Sequence, residues 1–179
     1  DSVHYPFLWH KLMAYGIHGS MLNVIRSMYS NLQSCVRVNG RLTEWFDQTA
    51  GVRQGDTLAP TLFALYINDL ASEINALGRG VTLDTGEIVS ILMYADDIVL
   101  ISDSAEGLQC MLEVLGSWSA DWKLGINFDK TNVVHFRRPS TAETAFTFEL
   151  NGQNVKKTAS YRYLGLDLHH TLDFEYGAK

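Results

Sequence analysis

Two adjacent carboxylates, Asp96 and Asp97, are the residues of this sequence best suited to chemistry. They stand between two apolar runs, residues 88–93 and 98–101. The runs predict two buried strands, which places the pair at the tip of a tight hairpin. Like charges side by side repel each other, and a divalent cation relieves that repulsion. Because neither His nor Cys accompanies them, Mg²⁺ or Mn²⁺ suits the pair better than Zn²⁺. A solvated Asp-Asp turn is the alternative interpretation.

A glycine-bounded loop, residues 51–56, leads into a helix predicted to begin after Pro60. Gly55 allows the backbone to approach a planar or phosphate group closely, and the amide of Gln54 offers both a donor and an acceptor. Taken by itself, the segment is also typical of an ordinary surface loop.

The distribution of charge is more informative than its sum. The 179 residues carry a net charge of -6, which alone argues against a nucleic-acid partner. However, no Lys or Arg lies between Arg79 and Lys123, a stretch that holds eight Asp or Glu residues. From Lys123 to Tyr163 the sign reverses, with seven basic residues against three acidic ones. An acidic middle beside a basic flank indicates a cation site next to a polyanion track, and two solvated faces are the alternative.

Composition predicts a packed globular chain, since 46% of the residues are hydrophobic and 19% are charged. No apolar run approaches the ~18 residues that a membrane span needs, so no membrane partner is expected. Cys35 and Cys110 are far apart, which indicates neither a disulfide framework nor a zinc site.

Three helices are predicted from apolar residues that recur at helical spacing. Ser20 and Asp103 are the predicted N-caps of the first and third, with Glu106 as the reciprocal partner of Asp103. The predicted inward face of the first helix consists of Met21, Ile25, Met28 and Leu32. That of the second consists of Phe63, Ile67, Leu70, Ile74 and Leu77, and that of the third of Leu108, Leu112, Leu115, Trp118 and Trp122.

Hairpins are predicted around the Asn-Gly pairs at residues 39–40 and 151–152, the second joining residues 146–150 to 161–168. Residues 131–136 are a further predicted strand. Helices packed against hairpins make the expected fold class α+β.

Four short motifs follow one another along the chain: Gly51-Val52-Arg53-Gln54-Gly55, Tyr94-Ala95-Asp96-Asp97, Gly125-Ile126-Asn127 with Lys130-Thr131, and Tyr163-Leu164-Gly165. Together they resemble the palm of a reverse transcriptase, an RNA-directed DNA polymerase, of the non-LTR (LINE-type) retrotransposon kind. Four ordered motifs are far more specific than any single one. The resemblance implies a polymerase palm-like antiparallel sheet with packed helices and hairpins.

The resemblance also implies roles for individual residues. Asp96 would ligate the catalytic Mg²⁺ (or Mn²⁺) ions directly and Asp97 would play a lesser part, in a transfer that adds dNTPs to a primer 3′-hydroxyl. Lys130 matches the lysine that protonates the leaving pyrophosphate. The residues implied to contact the RNA template, the nucleotide or the DNA primer end are Arg53, Gln54, Gly55, Tyr94 and Ala95. Those implied to grip the primer strand are Tyr163, Leu164 and Gly165.

Another carboxylate of the family is expected upstream of this sequence, because residues 1–4 resemble the tail of the motif that carries it. Asp1 is therefore not expected to take that role. Residues 1–179 are expected to form a single partial reverse transcriptase domain, the palm with the start of the thumb, without the fingers and the N-terminal part of the palm. Two carboxylates do not complete a two-metal site, so this fragment alone is not expected to polymerise. The family implies a nuclear or cytoplasmic location.

Three other interpretations compete with an active polymerase. A catalytically incomplete palm remnant would at most bind nucleic acid or metal. An RNA-binding sheet of the RRM type needs a Gly-Phe-Val-type aromatic strand, which the sequence lacks. A purely structural domain leaves Asp96 and Asp97 without a purpose.

Overall fold

The computed structural model describes residues 2–53 and 55–172. In this part of the chain it has four helices: α1 (Tyr5–Ala14), α2 (Gly19–Met28), α3 (Ala59–Ala76) and α4 (Ala105–Asp121). None of these helices is long and apolar enough to cross a membrane. Short strands lie between α2 and α3, between α3 and α4, and after α4, so the predicted α+β class is confirmed.

The fourteen strands of the described residues pair two by two and form no extended sheet. Antiparallel pairs are β1 (Gln33–Ser34) with β4 (Phe46–Asp47), β2 (Arg37–Val38) with β3 (Arg41–Leu42), β5 (Val81–Thr82) with β6 (Ile88–Val89), β7 (Ile91–Tyr94) with β8 (Asp97–Leu100), β10 (Glu149–Leu150) with β11 (Gln153–Asn154), and β13 (Ser160–Tyr163) with β14 (Leu166–His169). One pair, β9 (Asn132–Val133) with β12 (Lys156–Lys157), is parallel. The expected palm-like sheet is therefore not seen in residues 2–53 and 55–172.

Helix α3 is the centre of the fold and matches its prediction. Pro60 stands in its first turn, where the missing N–H costs nothing. Besides Ala59, five of its side chains are buried at helical spacing: Leu62, Tyr66, Ile67, Leu70 and Ile74. They form the main core cluster with residues of the other three helices, including Leu8, Leu12, Leu22, Ile25, Met111 and Trp118.

Helix α2 departs from its prediction. It begins at Gly19, with His18 as N-cap, so Ser20 lies inside the helix and does not cap it. Its buried residues are Leu22 and Ile25, whereas Met21 is 63% exposed. Ile25 faces inward as predicted, but Leu22 and Tyr29 take the core positions predicted for Met21 and Met28.

Helix α4 has its predicted inward face, with Leu112 and Trp118 buried, but its predicted cap is wrong. Ser104, whose backbone is extended, is the N-cap, and its hydroxyl accepts a hydrogen bond of 3.2 Å from the Gly107 N–H. Asp103 lies one residue too early to reach an N3 amide, and Glu106 is therefore not a capping-box partner.

A buried charge joins three of the helices. Lys11 of α1 is only 4% exposed and forms an ion pair with Asp69 of α3. Asp69 Oδ1 also accepts a 3.2 Å hydrogen bond from the Trp118 indole of α4. Burial lowers the pKa of Lys11, and Asp69 opposes that shift. Buried charges need such partners, so this network fixes the helices against one another.

Three predicted strands also change. Residues 88–93 divide at the buried Ser90 into β6 and β7. Ile88 and Leu92 are exposed, so this run is not a wholly buried strand. Only Asn132 and Val133 of the predicted strand 131–136 pair. The turn at residues 151–152 joins β10 to β11, while β13 finds its partner in β14 across a second turn.

Candidate active site

The two carboxylates lie at the tip of the β7–β8 hairpin, as the sequence predicts. Tyr94 pairs with Asp97, and Ala95 and Asp96 form the two-residue turn between them. Ala95 has a left-handed backbone, with φ of 51°, a conformation that is uncommon for a residue other than Gly, Asn or Asp. Asp96 and Asp97 are exposed, and Tyr94 is 65% exposed. The tip is thus accessible to a large ligand.

The base of this hairpin is held by the main core cluster. Ile91 and Met93 of β7 and Ile98 and Leu100 of β8 are partly buried against it. The pairing continues one step past the strands, because the Ile101 N–H donates a 2.8 Å hydrogen bond to the Ser90 carbonyl. Side chains alternate across a strand, so inward residues anchor the hairpin while its tip projects into solvent.

The ligand atoms at the tip are of the type that a hard divalent cation prefers, but they make up only part of a ligand set. Asp96 and Asp97 offer carboxylate oxygens, which Mg²⁺ and Mn²⁺ prefer. Within the ranges 2–53 and 55–172, no group of three or more His, Cys, Asp or Glu side chains is placed to hold a metal ion. An ion at Asp96 and Asp97 would therefore complete its coordination with water, substrate oxygens or another carboxylate.

The glycine-bounded loop is tied to the start of the chain and to α3. The Gly51 N–H donates a 2.8 Å hydrogen bond to the Val3 carbonyl, and His4 forms an isolated bridge with Ala50. Gly55 has φ of 83°, a conformation that suits glycine. Arg53 is exposed, and Gln54 lies outside the described residues.

Tyr29 supports this loop from the protein interior and was not singled out from the sequence. It is buried, and its ring lies 5.5 Å from that of Tyr5 in an edge-on arrangement. Burial raises the pKa of the Tyr29 hydroxyl, and the neighbouring Arg53 opposes that shift. Its position four residues after Ile25, on the same helical face, is the signal that could have revealed it.

Lys130 lies in the turn that precedes β9. Its backbone N–H donates to the carbonyl and to the side-chain oxygen of Asn127, each at 3.2 Å. The turn is further closed by the Thr131 hydroxyl, which donates to the Asn127 carbonyl at 2.8 Å. The Lys130 side chain is exposed and has no hydrogen bond or ion pair with any other described residue.

The second hairpin, β13–β14, carries the three residues implied to hold a primer. Leu164 and Gly165 form its turn, with φ of 47° and 87°. Tyr163 is half-buried, whereas Leu164 and, at 61% exposed, Leu166 face solvent. Backbone hydrogen bonds of 2.8 Å anchor the base of the hairpin, from the His170 N–H to the Ala159 carbonyl and from the Arg137 N–H to the His170 carbonyl.

The predicted site residues therefore divide into two groups. The loop and the carboxylate hairpin rest on the same core, because Val52, Leu58, Met93 and Ile98 all pack against the main cluster. Lys130 follows Ile126 and Phe128, which pack against a second cluster of Leu112, Val133, Phe148, Leu150 and Val155. No hydrogen bond or ion pair within residues 2–53 and 55–172 joins Lys130 or the second hairpin to the carboxylates.

Comparison with known proteins gives concordant matches. Residues 1–168 match the family described as reverse transcriptase (RNA-dependent DNA polymerase). The chain is 30% identical over 158 residues to the RNA-directed DNA polymerase from mobile element jockey of Drosophila melanogaster, covering 84% of the chain and 16% of that protein. It is 28% identical over 180 residues to the protein of the same name from Drosophila funebris, covering 97% of the chain and 19% of that protein.

A third relative is the Retrovirus-related Pol polyprotein from type-2 retrotransposable element R2DM of Drosophila melanogaster. The identity is 27% over 183 residues, which cover 96% of the chain and 17% of that protein. The chain thus spans less than a fifth of the length of each of these three relatives.

Proposed function

Since the chain belongs to the reverse transcriptase (RNA-dependent DNA polymerase) family, as its ordered motifs predict, we propose that it is part of the RNA-directed DNA polymerase of a non-LTR retrotransposon. The proposed reaction adds dNTPs to the 3′-hydroxyl of a primer on an RNA template. The names of the relatives, which are polymerases and Pol polyproteins of mobile elements, support this origin.

The observation that carries the proposal is the exposed carboxylate pair on a firmly anchored hairpin. Asp96 is proposed as the direct ligand of catalytic Mg²⁺ or Mn²⁺, and Asp97 as a weaker contributor. A divalent ion bound there would supply the Lewis acidity that stabilises charge in phosphoryl transfer. Because the hairpin base is packed in the core, the backbone that carries the two carboxylates is fixed before substrate arrives, which favours electrostatic preorganisation.

The other predicted residues are proposed to position substrate. Tyr94 and Ala95 lie beside the carboxylates at the tip and would contact the primer end. Arg53, Gln54 and Gly55 would contact the template base and the incoming nucleotide, where the left-handed Gly55 permits close backbone approach. An arginine is well suited to a phosphate because its planar fork can donate two hydrogen bonds.

Lys130, with its unengaged side chain, is proposed to donate a proton to the departing pyrophosphate. Tyr163, Leu164 and Gly165 are proposed to hold the primer strand at the tip of the second hairpin. We further propose that residues 1–179 contribute the palm and the start of the thumb to a larger polymerase, in which added strands complete a palm sheet around the β7–β8 hairpin.

A second candidate function is supported by a separate observation. The described residues bring no third ligating side chain to Asp96 and Asp97. We propose as the alternative that this chain, taken alone, binds metal or nucleic acid without synthesis.

A primer-extension assay separates the two functions. The 179-residue chain and the longer polymerase proposed to contain it are each given a DNA primer annealed to an RNA template, Mg²⁺ and dNTPs, and both extension and binding of the hybrid are measured. Extension that Asp96→Asn abolishes and Asp84→Asn preserves supports the polymerase. Mg²⁺-dependent binding without extension supports the alternative. Absence of both would refute the two proposals together. Asp84 is a matched control because it is exposed in the turn between β5 and β6.

A further inference from the structure

Both ends of the β7–β8 hairpin contact one short segment, Arg79–Gly80, which lies between α3 and β5. Ser90 stands directly before β7, and Ser102 comes two residues after β8. The two ends are also joined to each other, because the Ile101 N–H donates a 2.8 Å hydrogen bond to the Ser90 carbonyl. We name Arg79, Gly80, Ser90 and Ser102 the base cluster.

The hydroxyl of Ser102 joins the end of the hairpin to the Arg79–Gly80 segment. It donates a 2.7 Å hydrogen bond to the Arg79 carbonyl, although the two residues are 23 positions apart in the sequence. It also accepts a longer bond, of 3.4 Å, from the N–H of Ser104, the N-cap of α4. A hydroxyl has one hydrogen to donate and lone pairs to accept, so these two bonds are compatible. A single side chain thus connects the hairpin, the segment after α3 and the start of α4.

Gly80 makes a close contact at the other end of the hairpin. It is buried, and a Cβ at this position would lie 2.5 Å from the Ser90 Oγ and closer still to the Val89 carbonyl oxygen. The Ser90 Oγ is buried and makes no hydrogen bond within the described part of the chain, so it meets Gly80 by packing alone. A residue without a side chain lets the segment lie directly against the start of the hairpin.

The first turn of α4 packs over the contact between Ser102 and Arg79. A Cβ at Gly107 would lie 2.8 Å from the Ser104 Oγ and closer still to the Ser102 Oγ, and it would lie 3.4 Å from the Cβ of Arg79. Glycine lowers the stability of a helix relative to alanine. Its presence in α4 is therefore explained by the space that this contact requires.

We propose that Ser102 and Gly80 are positioning residues for the carboxylates of Asp96 and Asp97. The main core cluster holds the inward side chains of the hairpin, whereas the base cluster fixes the two points where the chain enters and leaves it. The strands between those points and the tip have only four residues each, so a displacement at the base is carried to the tip. Metal ligands must be held to within about 0.5 Å of their working geometry. The inference rests on the proposed function, in which these carboxylates bind the catalytic ion.

The structural part of the inference is tested by amide hydrogen exchange, followed by NMR on the 179-residue chain. Ser102→Ala removes the bond to the Arg79 carbonyl and should raise the exchange rate of the Ile101 N–H roughly fivefold to tenfold, the factor for one lost hydrogen bond. Ser119→Ala is the matched control, because the buried Ser119 hydroxyl donates a 2.8 Å bond to the Gly116 carbonyl within α4. An Ile101 rate unchanged in Ser102→Ala, or raised equally in Ser119→Ala, would overturn the role of the base cluster.

The effect on the carboxylates is tested by Mn²⁺ titration of the 179-residue chain and of the longer polymerase proposed to contain it. Ser102→Ala and Gly80→Ala should each weaken Mn²⁺ binding by about threefold, less than the roughly tenfold or greater loss typical when a group bonded to a metal ligand is removed. Ser119→Ala should leave Mn²⁺ affinity unchanged. Urea denaturation of the same variants gives their stabilities. Losses of affinity that follow the losses of stability in all three variants would identify Ser102 and Gly80 as ordinary structural residues.

The combined outcomes separate this inference from the proposed function. If the wild-type proteins bind no Mn²⁺ that Asp96→Asn removes, the metal site of the proposed function fails, and hydrogen exchange at Ile101 still decides whether the base cluster holds the hairpin. If Mn²⁺ binds through Asp96 with the same affinity in the wild type, Ser102→Ala and Gly80→Ala, the proposed function stands and the positioning role is overturned. Ser102→Ala only removes one oxygen atom, so the test stands even if Gly80→Ala impairs folding.

Discussion

The β7–β8 and β13–β14 hairpins have similar backbones but carry different residues at their tips. Each has two strands of four residues, a tyrosine directly before the turn, and a two-residue turn whose first residue is left-handed. At the tip of the first hairpin the next residues are Asp96 and Asp97, whereas the second exposes Leu164 and Leu166. One backbone design thus presents a charged tip in one case and an apolar tip in the other.

The two hairpins are also supported by different forces. Side chains of β7 and β8 pack into the main core cluster, whereas neither core cluster contains a described residue of β13 or β14. The second hairpin is tied to a neighbouring segment instead by a backbone hydrogen bond from the Arg137 N–H to the His170 carbonyl. Packing fixes a tip rigidly, which suits metal ligands, while a hydrogen-bonded base leaves a tip freer to follow a strand of nucleic acid.

The largest expected effect tests this difference in support. Met93→Ala removes a side chain packed on the main core, and we expect a loss of about 2 kcal/mol in the free energy of unfolding, the lower end for a Met→Ala change in a core. Leu166→Ala on the second hairpin should change it by less than about 0.5 kcal/mol, since that side chain is exposed. Urea denaturation measures both, and equal losses would remove the distinction between the hairpins.

A smaller effect is expected in the loop that shares the core of the first hairpin. Gly55→Val forces a side chain into the left-handed region and should cost about 1–2 kcal/mol of stability. No atom lies within 4 Å of the position that its Cβ would occupy, so the cost is conformational and not a clash. Hybrid binding should fall by more than this amount if the loop contacts template or nucleotide. Equal losses of stability and binding would instead identify Gly55 as a structural residue.

The smallest effect sharpens the comparison of the two tips. Asn39 and Asn151 occupy the first turn position of two other hairpins, with φ of 50° and 51°, because asparagine tolerates this conformation better than leucine. Leu164→Asn should therefore stabilise the chain by about 0.5–1 kcal/mol while weakening hybrid binding. Thermal unfolding measures the expected gain in stability, and a titration with the hybrid measures the expected loss of binding. Stabilisation with unchanged binding would show that Leu164 does not contact the primer.

Much of the fold can be predicted from local patterns. Helix α3 follows from one dominant apolar stripe between Pro60 and Gly78. The buried face of helix α2 does not, because the predicted stripe of Met21, Ile25 and Met28 is as regular as the observed one of Leu22, Ile25 and Tyr29. Spacing alone cannot choose between them, and the choice is made by contacts with other helices. Local patterns also do not show which strands join into a sheet, since strand pairing depends on partners far away in the chain, and the described strands form only pairs.

The candidate site was predictable to a similar extent. The carboxylate tip follows from the two apolar runs around residues 94–97. The turn at Leu164–Gly165 was implied only by the resemblance, since the pattern itself predicted one strand over residues 161–168. The contact between the side chains of Arg137 and His170 could not be found this way. Arg137 and His170 meet only because β9 pairs in parallel with β12 and the chain then returns through β13 and β14.

The central claim is that the charged tip of the first hairpin binds a divalent ion. Its most direct test is a Mn²⁺ titration followed by electron paramagnetic resonance, applied to the wild-type chain and to Asp96→Asn, Asp97→Asn and Asp84→Asn. Mn²⁺ affinity should fall by about tenfold or more, at least about 1.4 kcal/mol, in Asp96→Asn, fall less in Asp97→Asn, and stay unchanged in Asp84→Asn. Identical affinities of the wild type and both tip variants would contradict the assignment of this hairpin as the metal site.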